Sequence, residues 1–135
     1  MSRDDDTEDP IVEAIGKASE ALEYVERARG HLYTFHQLMG RADIEFGNAA
    51  ELLMQCGLQA DATTMSETVV GRNVLDGRWT FQVVDEFDDL YYSAARDIVR
   101  RLEADHLDGE RHAHERLMKT RRRTPGRPGH EMDPP

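Results

Sequence analysis

Several groups of ionisable residues stand at spacings that could do chemistry. Glu103-Ala104-Asp105-His106 has the form Glu-x-x-His. On a helix this spacing puts a carboxylate and an imidazole on adjacent turns of one face, where both can reach a single metal ion. A centre of that kind would gather Glu103, His106 and Glu110, with His31 supplied from an antiparallel neighbour. Helical di-metal sites, however, carry inward carboxylates on four helices, and this chain has one such motif. Asp85-Glu86-Phe87-Asp88-Asp89 contains Glu86-x-x-Asp89, a spacing that holds magnesium when a second acidic pair lies opposite. Antiparallel packing places Glu20, Glu23 and Glu26 at the far end from it. A solvated acidic face, favoured near a helix start by the macrodipole, is the simpler reading. Arg101 with His106, and Arg29 with His36, are pairs that could polarise and protonate a scissile phosphate. With 15 arginines and 6 histidines in the chain, such loose matches arise by chance. His112 and His114 lie two residues apart, so on a helix they face different directions. No convergent catalytic set emerges, and no cofactor is implied.

The C-terminal stretch offers a different chemistry. Arg121, Arg122, Arg123 and Arg127 form a basic cluster that could contact a polyanion or fold back onto the chain's own acidic body. The whole chain of 135 residues carries a net charge of −10, so phosphate backbones are repelled along most of its length. That length fits one small domain. Cys56 is the single cysteine, which excludes an internal disulfide and any multi-cysteine zinc site. Its place on an apolar stripe predicts burial as a small hydrophobe. No stretch is long and apolar enough for a bilayer, and the acidic start (Asp4, Asp5, Asp6, Glu8, Asp9) is unlike a basic export signal. A cytoplasmic protein with no membrane contact is expected.

The elements that must position these residues follow from proline, glycine and apolar spacing. No proline separates Pro10 from Pro125, so more than a hundred residues lack the strongest helix breaker. Asp9-Pro10 reads as an N-cap followed by Pro at the first helical position. From there an apolar seam runs through Ile11, Ile15, Ala18, Leu22, Val25, Ala28, Leu32, Phe35, Met39, Ala42, Phe46, Ala49, Leu53 and Cys56. Alternating steps of three and four predict one long helix over 10–56, stopped by Gly57, with Gly30 as the place for a bend. Thr64-Met65-Ser66-Glu67 has the form of a capping box and predicts a short helix to Gly71. Asp76-Gly77 reads as a tight turn, with a hairpin of short strands as the alternative. A second seam, Val84, Phe87, Tyr91, Ala94, Ile98 and Leu102, widened by Val83, Leu90 and Val99, predicts a helix of nearly forty residues from Thr80, with a kink at Asp108-Gly109.

The stretches Gly71-Arg72-Asn73-Val74-Leu75-Asp76-Gly77-Arg78-Trp79-Thr80-Phe81-Gln82, Met118 to Arg123 and Gly126 to Glu131, together with 21–31, resemble an uncharacterised family of small helical actinobacterial proteins. The resemblance implies a bacterial cytosolic setting and transfers no activity. The sequence thus predicts an all-α chain: an acidic disordered head (1–9), a domain of two long antiparallel helices with a short connecting helix (10–118), and a basic Pro/Gly-containing tail (119–135). Two helices leave the flanks of each seam wet, which predicts a homodimer completing a four-helix bundle. The expected function is a non-enzymatic scaffold or partner-binding protein that self-associates through its apolar seam. A ferritin-like metal-binding protein built on Glu103, His106, Glu110 and His31 is the alternative. Trp79, Phe81, Tyr91 and Tyr92 mark the connection as the place for a ligand pocket.

Overall fold

The computed structural model describes residues 9–135, so the acidic head lies almost wholly outside the described residues. The chain is all-α, with no strand among the described residues. In chain order the helices are α1 (Pro10–Gln55), α2 (Gln59–Thr68), α3 (Thr80–Phe87), a π-helical turn (Asp88–Tyr92), α4 (Ser93–His106) and α5 (Ala113–Arg122). The residues divide into two compact units. One is Glu26–Tyr92; the other joins residues 9–25 to Ser93–Pro135.

The start of α1 follows its sequence signal. Asp9 Oδ1 accepts the Ile11 N–H at 2.8 Å, satisfying one of the donors that a helix start leaves free. The helix continues through Gly30, Gly40 and Gly47 and ends at Gln55. Gly57 then takes a left-handed conformation (φ 84°) in the turn after α1.

The seam holds its expected phase at Ile15, Ala18, Leu22, Val25, Leu32, Met39, Ala42, Ala49 and Leu53, all buried or half-buried, and departs from it at five other positions. Ile15, Leu22 and Ala50 are buried, and residues 29, 36 and 43 between them are half-buried. The inward positions therefore repeat every seven residues as Ile15, Leu22, Arg29, His36, Asp43 and Ala50. Ala28, Phe35 and Cys56, expected on the buried seam, are exposed, as are Ile11 and Phe46. Three polar side chains take the inward heptad position because each finds a hydrogen-bonding partner across the unit.

In the unit Glu26–Tyr92, those partners fix an antiparallel pairing. Arg29 meets Asp88, His36 meets Thr80 and Asp43 meets Gly71, so partners descend in number as α1 ascends. The connection differs from expectation at its first element. α2 begins at Gln59, so Thr64 sits inside the helix and caps nothing. The turn at Asp76-Gly77 forms as expected, with Gly77 at φ 71° and the Arg78 N–H on Leu75 O at 3.0 Å. Its flanks make an isolated bridge, Leu75 to Arg78, and no hairpin.

The second long segment is interrupted twice. The π turn inserts one residue relative to an α-helix. Tyr92 and Ala95 are half-buried in place of the expected Tyr91 and Ala94, and Val99, on the widened part of the expected seam, is buried while Ile98 is exposed. The same one-residue rotation brings Glu103 inside, at 2% exposure. The expected break at Asp108-Gly109 is present: both residues have positive φ, and the Gly109 N–H closes α4 on Glu103 O at 2.9 Å. In the second unit α5 then approaches α1, where a Cβ built on Gly16 would stand 3.0 Å from His114 Cβ.

Candidate functional site

The polar heptad positions of α1 form a ladder of specific bonds within the unit Glu26–Tyr92. Arg29 donates from Nε and Nη2 to the two oxygens of Asp88, at 2.6 and 2.8 Å. Bidentate geometry of this kind is the strongest form of the pair. The guanidinium also lies 6.0 Å from the Tyr33 ring centre and 5.6 Å from that of Tyr92. Tyr92 donates to Glu26 Oε2 at 2.7 Å. The hydrogen bonds from Arg29 hold the Asp88 carboxyl below the usual carboxylate range and raise the Arg29 guanidinium. Two turns along, His36 Nδ1 and Thr80 Oγ1 are 2.7 Å apart. Asp43 Oδ1 accepts the Gly71 N–H at 2.6 Å, where Gly71 takes φ 73°. Trp79 closes the connection, its Nε1 donating to Gly71 O at 3.2 Å.

Between α1 and this connection lies an open groove of about 580 Å³. Phe35, Met39, Ala42 and Phe46 line it from α1, and Val69, Val74 and Trp79 from the connection. Of the four aromatic residues expected to mark a pocket at the connection, Trp79 lines this groove, whereas Phe81, Tyr91 and Tyr92 do not. Its α1 edge continues into an apolar flank at Phe35 (44% exposed), Leu38 (64%), Phe46 (42%) and Leu52 (60%). A side chain that leaves water contributes roughly 25 cal/mol per Å² of apolar area, so these four represent unused stabilisation. In this unit the buried apolar residues are Ala50, Ala62 and Val84.

The ionisable clusters singled out in sequence fall elsewhere. Of the acidic run, Asp88 is held by Arg29 and Glu86 by Arg78, whose hydrogen bond holds the Glu86 carboxyl below its usual range. Buried Glu103 has Arg100 at 3.4 Å, and Glu110 has Arg116 at 3.5 Å. His106 and His31 are exposed, and His31 belongs to the other unit. Among the described residues, the ligand atoms that come within 4.8 Å of one another belong to Glu23, His112 and Glu115, all exposed. Sequence spacing could not reveal this set, because Glu23 is some ninety residues away from the other two. Arg29 and His36 act in the ladder, each on its own partner.

In the tail, Arg121 and Arg122 close α5, exposed; Arg127 is exposed beyond it. Arg123 Nη1 donates to His130 O at 3.0 Å, Lys119 Nζ to Met132 O at 2.6 Å, and Arg116 Nη1 to Asp133 at 3.0 Å. The last residues thus return to α5. Cys56, expected to be buried, is exposed at the end of α1. No helix of the described residues is long and apolar enough to cross a membrane.

Comparison with known protein families, with curated proteins and with solved structures finds no match.

Proposed function

We propose that the chain works by binding, as a non-enzymatic helical scaffold that self-associates through the apolar flank of α1. One observation carries this reading: large apolar side chains of α1, Phe35, Leu38, Phe46 and Leu52, stay between 42% and 64% exposed beside an open groove. Contiguous exposed apolar surface on a small chain marks an interaction site. The polar ladder fits the same role, since each of its groups is spent on holding the unit together. Sedimentation equilibrium at micromolar concentration tests the reading. The expected species has twice the chain mass of 15.4 kDa. A monomer up to about 100 µM, weaker than typical specific association, overturns it.

A metal-binding reading has one feature in its favour, the donor set Glu23, His112 and Glu115. Two carboxylates and an imidazole suit zinc or iron. Zinc titration of the purified protein decides it. Stoichiometric binding lost in His112→Ala supports this reading over the scaffold, and no saturable uptake removes it.

A further inference from the structure

We infer that the row Arg116, Lys119 and Arg123 on α5 is a binding site for linked phosphate groups, occupied in the free chain by its own residues 130–133. The inference goes beyond the scaffold reading and does not depend on it. All of these residues belong to the unit that contains α5. Arg116 and Lys119 stand about one turn apart on α5, and Arg123 is its C-cap, about one turn further. At 1.5 Å per residue the cations form a single row about 10 Å long.

Residues 130–133 run back along this row, antiparallel to α5. Asp133 Oδ1 accepts from Arg116 Nη1 at 3.0 Å, the Met132 carbonyl from Lys119 Nζ at 2.6 Å, and the His130 carbonyl from Arg123 Nη1 at 3.0 Å. Met132 Sδ lies 3.7 Å from Thr120 Oγ1, and His130 Nδ1 accepts the Thr124 N–H at 3.1 Å. One stretch of chain thus presents an oxygen to each cation in turn, as a strap.

The strap is an incomplete ligand. It offers the three cations one carboxylate and two neutral carbonyls. Arg116 has Glu110 besides, at 3.5 Å. Its pair with Asp133 is open to water, the side chains 47% and 66% exposed, so it holds the strap weakly. Arg123 Nε is buried and, among the described residues, has no hydrogen-bond partner. A buried donor left without an acceptor keeps its whole desolvation cost. Two phosphate oxygens can take Nε together with a terminal nitrogen of the same fork, which a lone carbonyl cannot. Around the row, residues 113–127 set Arg116, Lys119, Arg121, Arg122, Arg123 and Arg127 against Glu115. A short run of linked phosphates ends with the row, whereas a long polyanion would continue over an acidic body that repels it.

Calorimetric titration of the full chain with sodium tripolyphosphate at low salt tests the site. Saturable, stoichiometric binding is expected. Arg123→Lys keeps the charge and loses the fork, and should weaken binding about tenfold, the usual worth of one charge-assisted hydrogen bond. Arg41→Lys, at an exposed position of α1, should leave it unchanged. No saturable binding, or equal affinity in Arg123→Lys, overturns the site. The strap is tested in Cys56→Ser chains carrying Thr120→Cys and Met132→Cys. Bridging the two thiols with a short bismaleimide should weaken tripolyphosphate binding by at least about tenfold, through loss of the same bonds. Capping both thiols with N-ethylmaleimide should not. Equal affinity of bridged and capped chains overturns the strap as competitor. Tighter binding of a single-stranded oligonucleotide than of tripolyphosphate assigns the row to nucleic acid and overturns the proposed ligand. None of these readouts uses the oligomeric state, so failure here leaves the scaffold reading standing.

Discussion

Arg29 and Asp88 form the tie with the clearest consequence for pH. The carboxyl of Asp88 is depressed by the hydrogen bonds it accepts, with the positive charge of Arg29 adding to the effect. A group whose folded pKa is depressed stabilises above its unfolded pKa, about 4 for Asp, and loses that stabilisation as pH falls through the folded value. Asp88→Asn should lower the melting temperature at neutral pH. Between about pH 4 and pH 2 the natural chain should lose stability more steeply than the variant. Thermal melts of both across that range check the sign, and parallel slopes would show that the pair contributes nothing. Thr80→Val removes the partner of His36 Nδ1, and Thr80 itself is only 7% exposed. A loss of about 1 kcal/mol in urea denaturation is expected, the ordinary worth of a hydrogen bond to a part-buried group.

At the scale of elements, the π turn is a one-residue insertion, and this makes it removable. Deleting Leu90, 67% exposed, should convert the segment to regular α-helix while leaving Val99 and Glu103 inward. Deleting Asp97 within α4 instead rotates everything after it by about 100° and should unfold that packing. Circular dichroism melts of the two deletions should separate by many degrees, and equal damage from both would refute the register argument. The glycines of α1 separate in the same way. Gly30 has nothing within 4 Å of an added Cβ, whereas at Gly16 that atom would meet His114. Gly30→Ala should gain roughly 0.5–1 kcal/mol from helix propensity, and Gly16→Ala should lose stability by pushing α5 away. These elements also show which parts were legible beforehand. The long α1, the Asp76-Gly77 turn and the break at Gly109 were legible because proline absence, Asp-Gly and apolar period are local signals. The one-residue shift of part of the buried seam, from 28 and 35 to 29 and 36, was not. Arg29, His36 and Asp43 look solvated until their partners, up to 59 residues away, are known. The π turn carries no proline or glycine to announce it. The Glu-x-x-His spacing carried no sign of the Arg100 that stands beside the buried Glu103 carboxylate.

For the whole molecule, charge and apolar surface pull in opposite directions, and their balance separates two kinds of association. Each chain carries −10, so two copies repel, while the flank at Phe35, Leu38, Phe46 and Leu52 draws them together through loss of apolar area. Salt screens the repulsion, with a Debye length falling from about 30 Å at 0.01 M to about 8 Å at 0.15 M. Self-association through this flank should therefore tighten as sodium chloride rises across that range. An association driven by the basic tail meeting acidic surface would weaken instead. Sedimentation of the full chain at several salt concentrations reads the sign directly. Leu38→Glu serves as the second arm, because it sets new charge on the proposed seam without touching the Arg29, His36 or Asp43 bonds. The variant should be a folded monomer with unchanged helical content, and adding salt should restore little of the dimer. A dimer that weakens with salt and survives Leu38→Glu would place the interface on the tail at Arg121, Arg122 and Arg127.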